Sequence, residues 1–368
     1  MASDAASAVH GILRLLARPV RTARGRRGVV LQPYRGYGSR ERIFVIGRVF
    51  WQHTGGTIEA AEIRTIVRRL RRRPVGGARV RAVFYGAAIE VETDRDGYFR
   101  IEMAPGAPVP RDRIWHRLEL ELLAPTRAEA SVEVFIPPDS ARTVIVSDID
   151  DTVMHTGVAN KLTMLWRLFV QGAESRTAFP GVAALYRALH AGASGHECNP
   201  MLYVSRAPWG IYDMLEAFFH HHDIPAGPVL FLREWGLSLR RPLPRRAVNH
   251  KHLLIERMLT LYGEMPFVLI GDSGQRDPEV YSRIVRKHAG RVRAVYIRDI
   301  AARGPARKAE VGALAEALRA AGAHLVLASD SLAMAEDAAR LGLIAPEAVA
   351  EVGARVEERL QEAEAGAG

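Results

Sequence analysis

VIVSDIDDTV, residues 144–153, decides how the second half of this chain folds. It begins as a continuous β-branched run, the pattern of a strand buried on both faces. It ends in three carboxylates, Asp148, Asp150 and Asp151, within four positions. Like charges that close repel, and burial at a strand end raises their pKa values further. A chain keeps such a cluster where something positive shares it.

Downstream, apolar runs and helical periodicities alternate. Strands are predicted at Thr143–Ser147, Met201–Val204, Val229–Leu232, Phe267–Ile270, Val292–Ile297 and His324–Ala328. Helices are predicted between them at Gly181–His190, Gly210–Phe219, His252–Tyr262 and Pro278–Lys287, then near 307–321, through DSLAMAEDAARLG and over 346–363. That alternation reads as an α/β parallel sheet with helices on both faces. Such sheets bind ligands beyond the carboxyl ends of their strands, where Asp148 falls. The last residues, EAEAGAG, read as a disordered tail.

Upstream the pattern is different. Residues 43–137 hold IFVIGRVFW, ARVRAVFYGAAIEVET, GYFRIEM, HRLELELL and ASVEVFIPP, short strands that predict a β-sandwich of the immunoglobulin or transthyretin kind. TDRDGYF reads as a hairpin turn, with Asp94, Asp96 and Gly97 supplying the tight backbone. Asp94 and Asp96 lack the further ligands of a calcium loop. RIVRRLRRRP, residues 64–73, reads as an exposed insertion. Residues 8–20 carry Ile12, Leu13, Leu16 and Ala17 on one helical face and Arg14 and Arg18 towards the other, a basic amphipathic helix for a membrane surface or for the neighbouring domain. RTARGRRG and PYRGYGS read as linker. The expected organisation is a basic helix and linker over 1–40, a β-sandwich over 41–138, an α/β domain over 141–345 and a terminal helix and tail over 346–368.

Of the chain's net charge of +10, residues 1–140 account for +9, with 24 arginines, no lysine and 15 carboxylates. The imbalance calls for an anionic partner, a phospholipid surface or nucleic acid, unless it reflects a general preference for arginine. No apolar run reaches the ~18 residues of a spanning helix. Asp4, Arg14 and Arg18 break up the only candidate secretory stretch, so a cytoplasmic protein is expected. The single cysteine, Cys198, excludes an intramolecular disulfide. The triplet His220, His221 and His222 closes a helix, where consecutive residues face different ways and do not form a metal set.

The other strand ends carry groups that complement the acidic cluster. The second strand ends in Ser205, within MLYVSRAPWG, and the helix after it offers amides to an anion. Lys251, in NHKHLL, is the only lysine between 162 and 286. The fourth strand ends in Asp272, followed five residues later by Asp277, in GDSGQRDPEVY. A hard divalent cation needs oxygen ligands and offsets carboxylate repulsion, and magnesium typically takes one or two carboxylates, waters and a substrate phosphate.

This ordered set resembles the haloacid dehalogenase superfamily of phosphotransferases. More narrowly, DIDDTVMHTG, TAFPGVAALYRAL, YVSRAPWGIYDML, FLREWG, HKH and GDSGQRDPEVY resemble the actin-patch-associated, magnesium-dependent phosphatidate phosphatases over roughly residues 143–300. The resemblance implies a haloacid-dehalogenase-like Rossmannoid fold and a nucleophile, Asp148, that forms an aspartyl-phosphate. It implies Asp150 as acid and then base, Thr152 fixing the loop, Ser205 holding a phosphoryl oxygen and Lys251 offsetting charge. It implies Mg2+ held by Asp148, the Asp150 carbonyl and Asp272, with Asp277 in support, and substrate contacts from Ser205, Arg206, Lys251 and Trp209. Asp151 has no superfamily role.

The insertion at 154–179 carries Leu162, Met164, Leu165, Trp166, Leu168, Phe169 and Val170, either an apolar mouth for acyl chains or a buried cap helix. Trp209 and Trp235 follow strand ends and are candidates to line the entrance. The expected function is hydrolysis of phosphatidate to diacylglycerol and phosphate at a peripheral membrane surface, with no nucleic-acid partner. Two alternatives are a phosphatase for soluble or nucleic-acid-end phosphomonoesters and a non-catalytic membrane or protein adaptor.

Overall fold

A computed structural model of the chain describes residues 23–24, 28–51, 73–149, 181–205, 209, 212–231, 247–273, 276–299, 304–320 and 322–365. The readings made for residues 8–20, the arginines of 64–72, Asp150, Asp151, Thr152, the 154–179 insertion, Arg206 and Trp235 lie outside the described residues. The chain divides into two compact units.

The first unit carries β1 (Ala23–Arg24), β2 (Val29–Pro33), β3 (Gly36–Gly38), β4 (Ile43–Trp51), β5 (Arg79–Phe84), β6 (Ala87–Glu92), β7 (Tyr98–Met103), β8 (Trp115–Ala124) and β9 (Ala128–Phe135). They hydrogen-bond in the order β1-β2-β4-β3-β9-β8-β5-β6, with β7 added on β4. All pairs are antiparallel except β3 with β9. The period of two in β5 and β8 does what such alternation dictates. Val80, Ala82 and Phe84, with Leu118, Leu120 and Leu122, enter a shared apolar core, while the arginines and glutamates between them face out.

PYRGYGS, read from sequence as linker, is instead β-structure. Tyr34 and Tyr37 are buried, and Gly36 and Gly38 lie in β3. The glycines serve close approach, since a Cβ at Gly38 would sit 2.6 Å from the Arg42 carbonyl oxygen. TDRDGYF does turn, with the Asp94 carboxylate accepting the Asp96 and Tyr98 amides. It does not close a hairpin, because β6 pairs with β5 and β7 with β4. The hairpin lies one turn earlier, where Tyr85 and Gly86, both at positive φ, join β5 to β6 in the two-residue geometry that matches strand twist.

The second unit begins at Ser140. It is built from β10 (Val144–Asp148), α1 (Val182–Ala191), β11 (Met201–Ser205), the end of α2 (Tyr212–His221), β12 (Val229–Phe231), α3 (Ala247–Leu261), β13 (Phe267–Asp272), α4 (Asp277–Lys287), β14 (Val292–Arg298), α5 (Gly304–Ala320), β15 (His324–Ala328), α6 (Leu332–Arg340) and α7 (Ala348–Ala365). Helix α7 therefore runs into the tail that was read as disordered. The strands form an entirely parallel sheet in the order β12-β11-β10-β13-β14-β15. Every residue of β10, β11 and β13 is buried, which explains why their sequences are continuous apolar runs and not alternating ones.

Numbered within this sheet, the strands lie 3-2-1-4-5-6. From β10 the chain goes to β11 on one side, and it returns from β12 to β13 on the other. Between β10 and β13 the two connections diverge, leaving the crevice where open α/β sheets bind ligands. The stretch Ala207–Ala217, of which Trp209 and Tyr212–Ala217 are described, counts with the first unit, so the units are not separated by the single cut expected from sequence. Among the described residues no helix is long and apolar enough to cross a membrane.

Candidate active site

Asp148 is the last residue of β10 and Asp272 the last of β13, the neighbours across the switch point. The register Ser147↔Ile270 carries β13 one residue further than β10. Both side chains are buried, as is Ser205 at the end of β11, one residue past Val204, the partner of Asp148 in that pair. Asp277 opens α4 five residues after Asp272. The three carboxylates offer oxygens that all lie within 4.8 Å of one another.

Lys251 reaches this cluster from the first turns of α3. Its Nζ lies 2.8 Å from Asp148 Oδ2 and donates to Asp277 Oδ1 as well. Lysine is almost never fully buried unless paired, yet this one is 1 % exposed. Burial works to lower its pKa, and the attraction of Asp148 and Asp277 outweighs that and raises it, so the side chain stays cationic. Its ammonium also sits 5.8 Å from the centre of the Tyr281 ring, whose hydroxyl donates to the Ile270 carbonyl and ties α4 to β13.

Asp277 is pushed up to about 6, by burial first, with Lys251 pulling down and Asp148 pushing up. Its Oδ1 takes the Lys251 ammonium and its Oδ2 accepts the Asp272 amide at 3.2 Å. With both oxygens committed to protein donors, Asp277 positions Lys251 and the end of β13. Asp148 and Asp272 are the better-placed ligands for an ion. An all-oxygen, carboxylate-rich donor set suits Mg2+, Ca2+ or Mn2+ over softer metals, so the residues fit a hard divalent cation.

Gly271 makes the arrangement possible, because a Cβ there would fall on the Asp277 carboxylate and lie 2.8 Å from Asp277 Cβ. Arg298, which sequence reasoning missed, ends β14 and donates from Nη2 to the Asp148 carbonyl at 3.2 Å. Although burial lowers it, the charges of Tyr186, Asp272, Asp148 and Asp277 hold its pKa above the ordinary value. The signal was available, since YIRD places an arginine at a strand end just as SDID places an aspartate.

Of the residues singled out from sequence, Asp148, Lys251, Asp272 and Asp277 are thus brought into one cluster, with Ser205 on the adjoining strand. Trp209 belongs to the first unit, where it is 5 % exposed and stacked on Tyr34 at 4.3 Å.

Fold and site together define an α/β protein with a lysine-bridged carboxylate cluster at the switch point of its parallel sheet. Residues 143–299 match the family described as phosphatidate phosphatase APP1, catalytic domain. A relative from Saccharomyces cerevisiae, phosphatidate phosphatase APP1, is 30 % identical over 155 residues, 42 % of this chain and 25 % of the relative. An uncharacterized protein from Schizosaccharomyces pombe is 27 % identical over 226 residues, 58 % of this chain and 35 % of that protein. The chain thus spans about a quarter to a third of these relatives. Among solved structures, a carbohydrate acetylesterase from Xanthomonas citri aligns over 78 % of this chain and 73 % of its own, at 12 % identity and a TM-score of 0.26, too low to support any argument about the fold.

Proposed function

We propose that the chain is a Mg2+-dependent phosphatidate phosphatase with a haloacid-dehalogenase-type catalytic domain, preceded by a β-sandwich and working at a membrane surface as a peripheral enzyme. The observation that carries this reading is the approach of the Asp148 and Asp272 carboxylates across the switch point, with Lys251 beside Asp148. The match of residues 143–299 to the phosphatidate phosphatase family supports the substrate.

In this reading Asp148 attacks the phosphorus of phosphatidate, the P–O bond to the glycerol breaks, and Asp150 protonates the departing diacylglycerol oxygen. The phosphoryl group rests on the Asp148 carboxylate. Asp150, now a base, takes a proton from water, which attacks the phosphorus, releases inorganic phosphate and restores Asp148. Lys251 offsets the negative charge that gathers between nucleophile and phosphoryl oxygens, and Ser205 holds one of those oxygens from the neighbouring strand. Asp277 keeps Lys251 in place and Thr152 fixes the nucleophile loop. Arg298 holds the Asp148 carbonyl, which fixes the backbone that carries the nucleophile. Mg2+, held by Asp148, Asp272 and the Asp150 carbonyl, supplies charge stabilisation for the phosphoryl group.

Among the described groups three carboxylates face two cations, Lys251 and Arg298. A dianionic phosphate entering that field without a further positive charge would be repelled, which is the electrostatic case for the metal. Phosphate release from phosphatidate in detergent micelles tests the reading. It is expected to require Mg2+ and to fall at least ~10³-fold in Asp148→Asn, as for loss of a nucleophile. Activity that survives excess chelator or that substitution overturns it, and faster turnover of a 3′-phosphorylated oligonucleotide than of phosphatidate redirects the substrate assignment.

A further inference from the structure

Directly behind the nucleophile lie two hydroxyls that the chemistry proposed above does not use. Ser147 and Asp148 are consecutive in β10, and consecutive side chains leave opposite faces of a strand. Asp148 meets Lys251, whereas Ser147 turns to α1, where its Oγ lies 2.6 Å from the Tyr186 hydroxyl. Both residues are buried, Ser147 at 0 % and Tyr186 at 3 % exposure. The Ser147 hydroxyl also donates to the Asp148 carbonyl at 3.4 Å.

A hydroxyl carries one proton and points it at one acceptor. If Ser147 gives its proton to the Asp148 carbonyl, its contact with Tyr186 is a hydrogen bond only with Tyr186 as the donor. The two protons then run in series, from α1 to the backbone of the nucleophile. Burial raises the Tyr186 pKa above its ordinary value, so the phenol keeps the proton that it donates. Alone, a serine hydroxyl can turn among three staggered wells. The Tyr186 hydroxyl, carried on a ring whose centre lies 6.1 Å from that of Tyr203 in β11, selects one of them. The peptide between Asp148 and Ile149 is thereby held on both sides. Its N–H donates to the Val204 carbonyl at 3.0 Å, and its carbonyl accepts from Ser147 and from Arg298.

We infer that Tyr186 is a positioning residue for the nucleophile, acting through the Ser147 hydroxyl on the Asp148 carbonyl. Rotation of that peptide would swing the Asp148 side chain, and in-line attack on phosphorus depends on where the carboxylate oxygen points. The inference deepens the phosphatase reading and rests on the role proposed there for Asp148.

The test uses the full chain with Mg2+, a soluble aryl phosphate as substrate and inorganic phosphate as competitive inhibitor. With such a substrate kcat/KM covers the steps up to release of the aryl alcohol, which include attack by Asp148. In Tyr186→Phe and in Ser147→Ala it is expected to fall about tenfold, while the phosphate inhibition constant stays within about twofold of the parent value. Each single change leaves the other hydroxyl buried without its partner, which lowers the melting temperature. The Tyr186→Phe/Ser147→Ala double variant leaves neither and is expected to melt close to the parent, so it also serves where a single variant fails to fold. Its kcat/KM is expected to stay about tenfold down, because both changes act on one contact.

Turnover that returns with the melting temperature in the double variant, or that never falls in a folded single variant, overturns the inference. So does a double-variant loss that multiplies to about a hundredfold, the mark of independent sites. An inhibition constant that rises in step with the loss of kcat/KM overturns it as well, since the hydroxyls would then support phosphate binding and not attack. These results leave the phosphatase reading intact. Parent protein without Mg2+-dependent turnover, or Asp148→Asn that retains it, refutes that reading and this inference with it.

Discussion

Lys251 and Asp277 show what the site demands of single side chains. An ammonium with 1 % exposure is tolerable only because two carboxylates reach it, and Asp277 gives up ease of ionisation to be one of them. The folded pKa of Asp277, about 6, lies above the ~3.9 of an unfolded aspartate. A carboxyl shifted upward contributes stability that is complete below the unfolded value and is lost as the pH rises through the folded one. At neutral pH the ionised Asp277 is therefore a cost to folding, set against the stability that the raised pKa of Lys251 contributes there, and a cation bound beside it would offset that cost. Protons and cation compete for the same charge. Mg2+ is accordingly expected to raise the melting temperature more at about pH 7.5 than at about pH 5, at ~2–4 °C per kcal/mol of binding linkage. Calorimetric scans with equal shifts at the two pH values would count against the assignment of the cation to this cluster.

Strands and helices of the second unit were legible because burial on both faces writes itself into sequence as uninterrupted apolar runs, and the polar residue that ends each run then stands out. Asp148, Ser205 and Asp272 were all found that way. Arg298 was missed although it too ends a strand, since nothing in the sequence marks its hydrogen bond to the Asp148 backbone carbonyl. In the first unit, alternation continues across Tyr85 and Gly86, so two strands read as one, and the glycines of PYRGYGS read as flexibility when they serve close strand contact. Gly271 makes the same point where β13 meets α4. Gly271→Ala is expected to cost about 1–3 kcal/mol in urea unfolding, the range for an overpacked site. It is also expected to reduce kcat by displacing Asp277 from Lys251. A variant with wild-type stability and turnover would show that α4 can retreat without loss.

At the scale of the molecule, charge is distributed unevenly along the first 140 residues. The described positions carry 14 arginines against 12 carboxylates, while 1–22, 25–27 and 52–72 carry ten against three. Across the strands, Arg79 faces Glu92, Arg81 faces Glu90 and Glu121, and Arg117 faces Glu133, so that side of the sheet is close to neutral. On the proposed reading, attraction to an anionic membrane would belong to the basic stretches within 1–27 and 52–72. Replacing Arg68, Arg69, Arg71 and Arg72 with glutamine is expected to weaken sedimentation with phosphatidate-containing vesicles by up to ~1 kcal/mol per residue, and added salt to do the same to the parent protein. Arg79→Gln/Arg81→Gln is the matched control, and an equal loss there would move the binding surface to the sheet.

The passage of α2 from one unit to the other also orders events on the ribosome. Residues up to Asp139 emerge first but lack the stretch Ala207–Ala217 that counts with them. At about 5–20 residues per second, that stretch follows roughly 4–16 s later. Through that interval the nascent amino-terminal portion has Tyr34 without the Trp209 ring that stacks on it, and a fragment truncated near residue 140 is left permanently in that condition, prone to capture by chaperones or by its own kind.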